Sequence, residues 1–325
     1  METGLKTDRL GSPDEVEGLI ALARVRRNQI EVLSLKERFA SRNAVYLKEV
    51  LAHYEQKKEW DSVARLAQMG AKQFGHSGEF AKALIKAREA RGDRSAAQEA
   101  RIAHFLEAPG AAEFAALKRR SEDLSNWGAV FERLLRASAS PQRSLWHPPD
   151  LRTRLLLAEG REREVLDGIA RRRGRMGFDE IKLVAKYAVA RLSEGVDLAR
   201  FKKLRELQSR LKRDKEKPYD WLRLILQKPG TLSRAEYARL AGGMYRQLVD
   251  LHLNSGKPSR ATPAAHYGAI VAELSQLLDE PRLWADLLRH LRQAYAKKRL
   301  IWEKLRADSA GSEKNERWLV TGNAR

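Results

Sequence analysis

The chain has no cysteine, which excludes disulfides, thiolate zinc sites and cysteine nucleophiles and fits a reducing cytosol. Proline is scarce at 10 residues and aromatics make up only 7%. Every apolar run is broken by charges well before the ~18 residues of a membrane span, and the N-terminus lacks an apolar signal core. Neither membrane insertion nor export is indicated, so a cytoplasmic location is expected. What is present is 33% charged and 43% hydrophobic residues over 325 positions, the balance of amphipathic helices with solvated outer faces. The fold class expected is all-α. Lys and Arg number 63 against 43 Asp and Glu, a net charge of +20, and such a field attracts polyanions and acidic partners whatever the fold.

A spaced pattern organises the chain. With Tyr54 as reference, an apolar residue stands four before (Val50), a turn residue four after (Lys58) and a small or β-branched residue nine after (Val63). The same marks return at Leu84, Arg88, Gly92 and Ala97, then at Leu117, Ser121, Ser125, Trp127 and Val130, and in degraded form at Leu156, Gly160 and Val165. The references 54, 88, 121 and 156 differ by 34, 33 and 35, the period of a tetratricopeptide-like helix-turn-helix repeat. The expected architecture is an α-solenoid, in which each helix pair buries its stripe only by stacking on its neighbours. Such an array should exceed the ~20 Å radius of gyration of a compact chain of this length. The ninth-place residues Val63, Ala97, Val130 and Val165 are expected at helix-helix contacts.

In chain order, residues 1–42 read as a flexible lead and a capping helix that runs from the box Ser12-Pro13-Asp14-Glu15 to about Ser41. Repeats fill 43–209, with breakers at 74–78 and 108–110 where successive pairs turn. The stretch 140–150 carries Pro141, Pro148 and Pro149 and reads as a long loop. Residues 210–306 read as C-terminal helical repeats, including helices from Ser233 to Leu253, from Pro263 to Leu278 and a long one from about Arg282 to Arg306; 307–325 reads as a loose tail.

At the C-terminal end, His266-Tyr267-Gly268-Ala269-Ile270-Val271, then Leu283-Trp284-Ala285-Asp286-Leu287-Leu288-Arg289-His290-Leu291-Arg292, Tyr295 and 297–300, resemble the closing helices of bacterial SWIM zinc-finger proteins. Ala108-Pro109-Gly110 with Phe114, Leu117 and Trp127 is similar to the helical repeats that follow the zinc module there. The resemblance implies a helical-repeat scaffold attached to nucleic-acid or protein binding. The family's zinc ligands are Cys-x-Cys followed by Cys-x-His, and with no Cys here no metal residue carries over. On this kinship the chain is the scaffold alone, or half of a system whose zinc module sits on another chain.

Motifs for chemistry are missing. The seven histidines form no helical zinc pair at i, i+4 with an intervening Glu, and Ser255-Gly256-Lys257-Pro258-Ser259 lacks the first Gly and the preceding strand of a phosphate loop. Carboxylate pairs such as Glu162 with Glu164 read as solvated helix surface. No cofactor and no metal are expected, and no enzyme. The site-like features are basic: Arg171, Arg172, Arg173 and Arg175 after a helix end, then Lys202, Lys203, Lys212 and Arg213, with Arg205, Arg210, Lys215 and Lys217 extending the charge. Planar guanidinium forks suit phosphates, while a solvated face is the bland reading of the same residues. Tyr219 and Trp221 are the aromatics nearby, Trp221 opening an apolar helix that buries it. The function expected is a non-enzymatic scaffold for protein-protein interaction, the alternative a basic nucleic-acid-binding protein or a subunit of a nucleic-acid-associated complex.

Overall fold

Helix after helix in this chain ends the same way. A computed structural model describes residues 13–74, 78–139, 150–172, 176–212 and 219–309. Among the described residues there are seventeen α-helices and no strand. The chain separates into two compact units, Met1–His147 and Pro148–Arg325. The stretch 140–149, read as a loop, lies outside the described residues, as do the N-cap Ser12 and the tail from 310.

The first unit holds α1 (Pro13–Val25), α2 (Gln29–Phe39), α3 (Ala44–Gln56), α4 (Trp60–Gln73), α5 (Gly78–Ala90), α6 (Arg94–Glu107), α7 (Ala111–Asp123) and α8 (Trp127–Ser138). The second opens with α9 (Leu151–Ala158) and α10 (Glu162–Arg171). Between the members of each pair one residue takes a left-handed backbone: Arg27, Lys58, Gly92, Ser125 and Gly160. The amide after it donates to the carbonyl five residues back: Asn28 to Ala23, Glu59 to Tyr54, Asp93 to Arg88, Asn126 to Ser121 and Arg161 to Leu156, all at 2.9 or 3.0 Å. The left-handed residue itself donates to the carbonyl three back. This is the Schellman cap, which satisfies carbonyls a helix end leaves without partners. The reference positions 54, 88, 121 and 156 are therefore the acceptors of one recurring bond.

The turn also corrects the first helix. Apolar periodicity runs unbroken from 13 to 39, but Arg27 turns left-handed at φ 56° and the Asn28 side chain accepts the Glu31 amide as an N-cap. Two short helices replace one long one because folding back buries Val16, Ile20 and Ala23 together with Val32, Phe39 and Tyr46.

Packing in this unit is local. Every substantial helix-helix contact joins helices one or two apart in sequence. Leu47, Val50, Leu51, Val63, Leu66, Ala67, Phe80 and Ala87 share one core across α3 to α5. Close approach there requires Gly70, where an added Cβ would lie 2.7 Å from Leu47 and 2.8 Å from the Phe80 ring. Val63, Ala97, Val130 and Val165 are all buried. Ion pairs join neighbouring hairpins: Glu37 to Arg65 at 2.6 Å, Glu55 to Lys86 at 2.7 Å and Glu99 to Arg133 at 2.7 Å, over sequence separations of 28, 31 and 34 residues. Lys48 with Glu79 and Glu89 with Arg120 make further pairs of this kind.

The second unit continues with α11 (Phe178–Leu192), α12 (Lys202–Lys212), α13 (Asp220–Leu226), α14 (Arg234–Asn254), α15 (Ala261–Leu277), α16 (Pro281–Tyr295) and α17 (Arg299–Ser309). The capping box that starts α14 is Ser233 with Glu236. Its 21 residues lie between α11 and α15, and α15 in turn meets α12, α16 and α17. The long last helix expected from 282 to 306 is two, broken at 296–298, where the Lys298 ammonium donates to the Leu253 carbonyl. Glu162 is a second correction. It is buried, 2% exposed, and accepts hydrogen bonds from Tyr187, the Thr231 amide (2.9 Å) and hydroxyl (2.8 Å), the Leu232 amide (3.0 Å) and Tyr237. Burial raises its pKa, yet these donors outweigh burial and hold it below the ordinary carboxylate value.

Candidate anion-binding cleft

Helix α11 is apolar on the side of Ile181, Val184, Ala185 and Ala188, all buried, and Lys182 and Lys186 flank that side one turn apart. Helix α12 brings Lys203, Glu206, Leu207 and Arg210 along one face, the spacing of helical neighbours. Tyr219, at the start of α13, Tyr245 of α14, and His266, Tyr267 and Ile270 of α15 complete the lining of a cleft of about 210 Å³. Four cations surround it and Glu206 is the one carboxylate in the lining.

Two devices hold the walls. The Glu273 carboxylate of α15 accepts the amides of Lys203 (2.9 Å) and Leu204 (3.0 Å), capping the first turn of α12 from 69 to 70 residues away. Burial of this carboxyl raises its pKa against the pull of those amides. Behind the cleft runs an aromatic row. Phe178 meets His252 edge-on at 5.5 Å, His252 lies tilted on Tyr267 at 5.5 Å, and Tyr267 lies 5.8 Å from Tyr245. Burial, with Arg260 and Lys182 adding to it, holds His252 below the usual imidazole pKa.

Electrostatics inside the cleft are strained. The Lys186 ammonium sits 4.0 Å from the centre of the Tyr219 ring. Burial lowers its pKa; the Tyr219 hydroxyl opposes this, while the Lys182 and Arg210 charges add to it. For Tyr219, burial acts upward, but hydrogen bonds from Lys186 and Arg210 outweigh it and hold the phenol below its ordinary value.

Of the residues singled out from the sequence, the described ones lie on two elements, the end of α10 and the helix α12. Arg171 is exposed at the end of α10, its guanidinium on the Asp167 carbonyl at 3.2 Å. Arg172 spends its fork on buried Glu180, at 2.8 and 2.7 Å. Lys202 is exposed at the start of α12, and Lys203 lines the cleft. Arg173, Arg175 and Arg213 lie outside the described residues, as does the side chain of Lys212. Lys182, Lys186, His266 and Tyr267 were missed as site residues. The available signal was the i, i+4 lysine pair beside an otherwise apolar helical face. Trp221 is buried as expected, and the 255–259 segment is a turn through left-handed Gly256.

Among the described residues no group of three or more His, Asp or Glu is placed to hold a metal, and no helix is long and apolar enough to cross a membrane. Comparison with protein-family models, with curated proteins and with solved structures returns no match.

Proposed function

We propose that this chain is a non-enzymatic helical-repeat scaffold of tetratricopeptide type, an α-solenoid that holds a protein partner. The observation that carries the reading is the recurrence of one Schellman-capped hairpin at 27, 58, 92, 125 and 160, with ion pairs joining the first four hairpins in succession. Units that contact only their neighbours present side chains in register along an extended surface, the usual basis of partner binding by repeat proteins. Apolar exposure adds a location. Of the seven large hydrophobic side chains left exposed among the described residues, Leu22 at 46%, Val25 at 80% and Ile30 at 83% fall around the first turn, with Val45 at 60% on α3. Grouped exposed apolar side chains mark contact surfaces more often than scattered ones do. On this reading the helices that resemble SWIM proteins are scaffold, with any zinc module on another chain.

The test is retention of a partner at fixed stoichiometry by the purified full chain, compared with a Val25→Asp, Ile30→Asp variant. Loss of the partner in the variant, with an unchanged melting curve, is the expected result. A chain that retains nothing but turns over a substrate in an unbiased activity screen would defeat the proposal. A second reading, nucleic-acid binding through phosphates, is favoured by the +20 charge. Its signature is affinity that falls steeply with salt and little with sequence, and absence of binding to duplex DNA, single strands and RNA at low salt removes it.

A further inference from the structure

Helix α1 is apolar on two opposite sides. Inward, Val16, Ile20 and Ala23 are buried with Val32, Phe39 and Tyr46. Outward, Gly18, Ala21, Leu22 and Val25 are all exposed. They follow one another at i, i+3, i+4 and i+7, which places them in one stripe about 100° wide on the far side of the helix. The end helix of a stacked array ordinarily keeps a polar outer face, and this one does not. A Cβ added at Gly18 would meet nothing within 4 Å, so the stripe carries an open notch where another helix can approach closely.

Charge is divided along the same helix. Asp14 and Glu15 stand in its first turn, Arg24 in its last and Arg26 just beyond, all exposed. Residues 1–12, outside the described ones, contribute Glu2 and Asp8 against Lys6 and Arg9, which leaves the division as it is. An antiparallel copy of α1 answers the shape and the charge together. Gly18 then lies opposite the partner's Val25 and Ala21 opposite the partner's Leu22, while the acidic first turn meets the partner's Arg24 and Arg26. Opposed macrodipoles add to the match. A parallel copy would set acid against acid and base against base. We propose that the outer face of α1 is a self-association surface, on which a second copy of this chain packs antiparallel about a two-fold axis. The proposal rests on the reading of the exposed apolar side chains around the first turn as a contact surface, and it names what covers α1. Thirteen residues make a helix about 20 Å long, a contact at the small end of specific interfaces, so the dimer is reversible with a dissociation constant on the order of 10 µM.

Sedimentation equilibrium of the purified full chain, over about two decades of concentration around that value, tests this. A monomer-dimer equilibrium is expected. Gly18→Gln fills the notch on both copies and should weaken it about tenfold or more. The same variant should melt no lower than the parent where both are monomeric, because Gln favours the helix over Gly and touches nothing in its own chain. Glu15→Arg and Arg26→Glu should each weaken the dimer about threefold or more, and the two together should restore it. A chain that is monomeric throughout overturns the proposal, as does growth beyond the dimer or a dimer indifferent to Gly18→Gln. A lower melting temperature in Gly18→Gln overturns it too, since the face would then be covered from within the chain, residues 1–12 being the nearest segment. A monomeric chain that retains a different protein, and loses it in the Val25→Asp, Ile30→Asp variant, removes self-association and leaves the scaffold reading in place.

Discussion

In the first unit a helix meets helices one or two places along the chain, whereas in the second Glu162 is held by donors 69 to 75 residues ahead and Tyr187 25 ahead. Both units use the same capped hairpin, for α9 and α10 are turned by Gly160 as α5 and α6 are by Gly92. The difference lies in what closes the core. Stacked hairpins close it with alanine-rich seams and surface ion pairs. The second unit closes it with α14 as an axis and with polar bonds between distant segments, a topology that must form many long-range contacts together. Disturbance should therefore stay local in the first unit and spread in the second.

The largest test of that contrast is Glu162→Ala. It strands Tyr187, Tyr237 and two backbone amides in a buried site, at a cost of about 3 kcal/mol. Hydrogen-exchange mass spectrometry should show faster exchange from α10 through α14, with 44–123 unchanged; loosening confined to α10 would break the comparison. The same group makes the second unit acid-sensitive. Its folded pKa is lowered, so the stability it provides is present above the ordinary 4.5 and is lost as pH falls through the folded value. Exchange measured on stepping down through that range should rise in the second unit and be blunted in Glu162→Gln.

Ala97→Leu probes the local seam. Ala97 is fully buried, and overpacking of this kind costs ~1–3 kcal/mol, so exchange should quicken in α5 to α8 and stay as it was in α14. Arg133→Ala tests the ion pairs between hairpins. Arg133 and Glu99 are 49% and 53% exposed, and such a pair contributes ~0.2–1 kcal/mol that salt removes. A penalty that persists in high salt would mean packing, not charge, links the hairpins. Arg94→Glu, at an exposed position beside the Ala97 seam, should move the melting curve by no more than ~0.5 kcal/mol.

How much of this was legible before the fold was known follows the same division. The hairpin period could be read because each Schellman turn places a bond at Tyr54, Arg88, Ser121 and Leu156 and the next helix must bury its ninth-place residue. The turn at Arg27 escaped notice, since neither Gly nor Pro marks it and the apolar spacing continues through Asn28. In the second unit the helix expected from Ser233 to Leu253 matches α14, whose start Ser233 and Glu236 cap through local bonds. The cleft did not, because its walls meet only through tertiary pairing, as when Glu273 caps α12. Arg172 looked available for phosphate for the converse reason: its partner Glu180 is set by how α10 and α11 pack. Charge is a property of the sequence, but whether a charge is already occupied is a property of the fold.

The left-handed turn residues carry a further consequence, for the evolution of the chain. Of the six positions that close these caps, counting Asp279 after α15, four hold Arg27, Lys58, Ser125 and Asp279 rather than glycine. All four are exposed. A side chain in this backbone region is disfavoured by ~1 kcal/mol or more relative to glycine, so the fold tolerates four small penalties at sites where no packing would be disturbed by their removal. Adaptation to heat has an open route there, one replacement at a time, without altering either core or the cleft. The turns are the part of the molecule where ancestry and temperature have the most freedom to write.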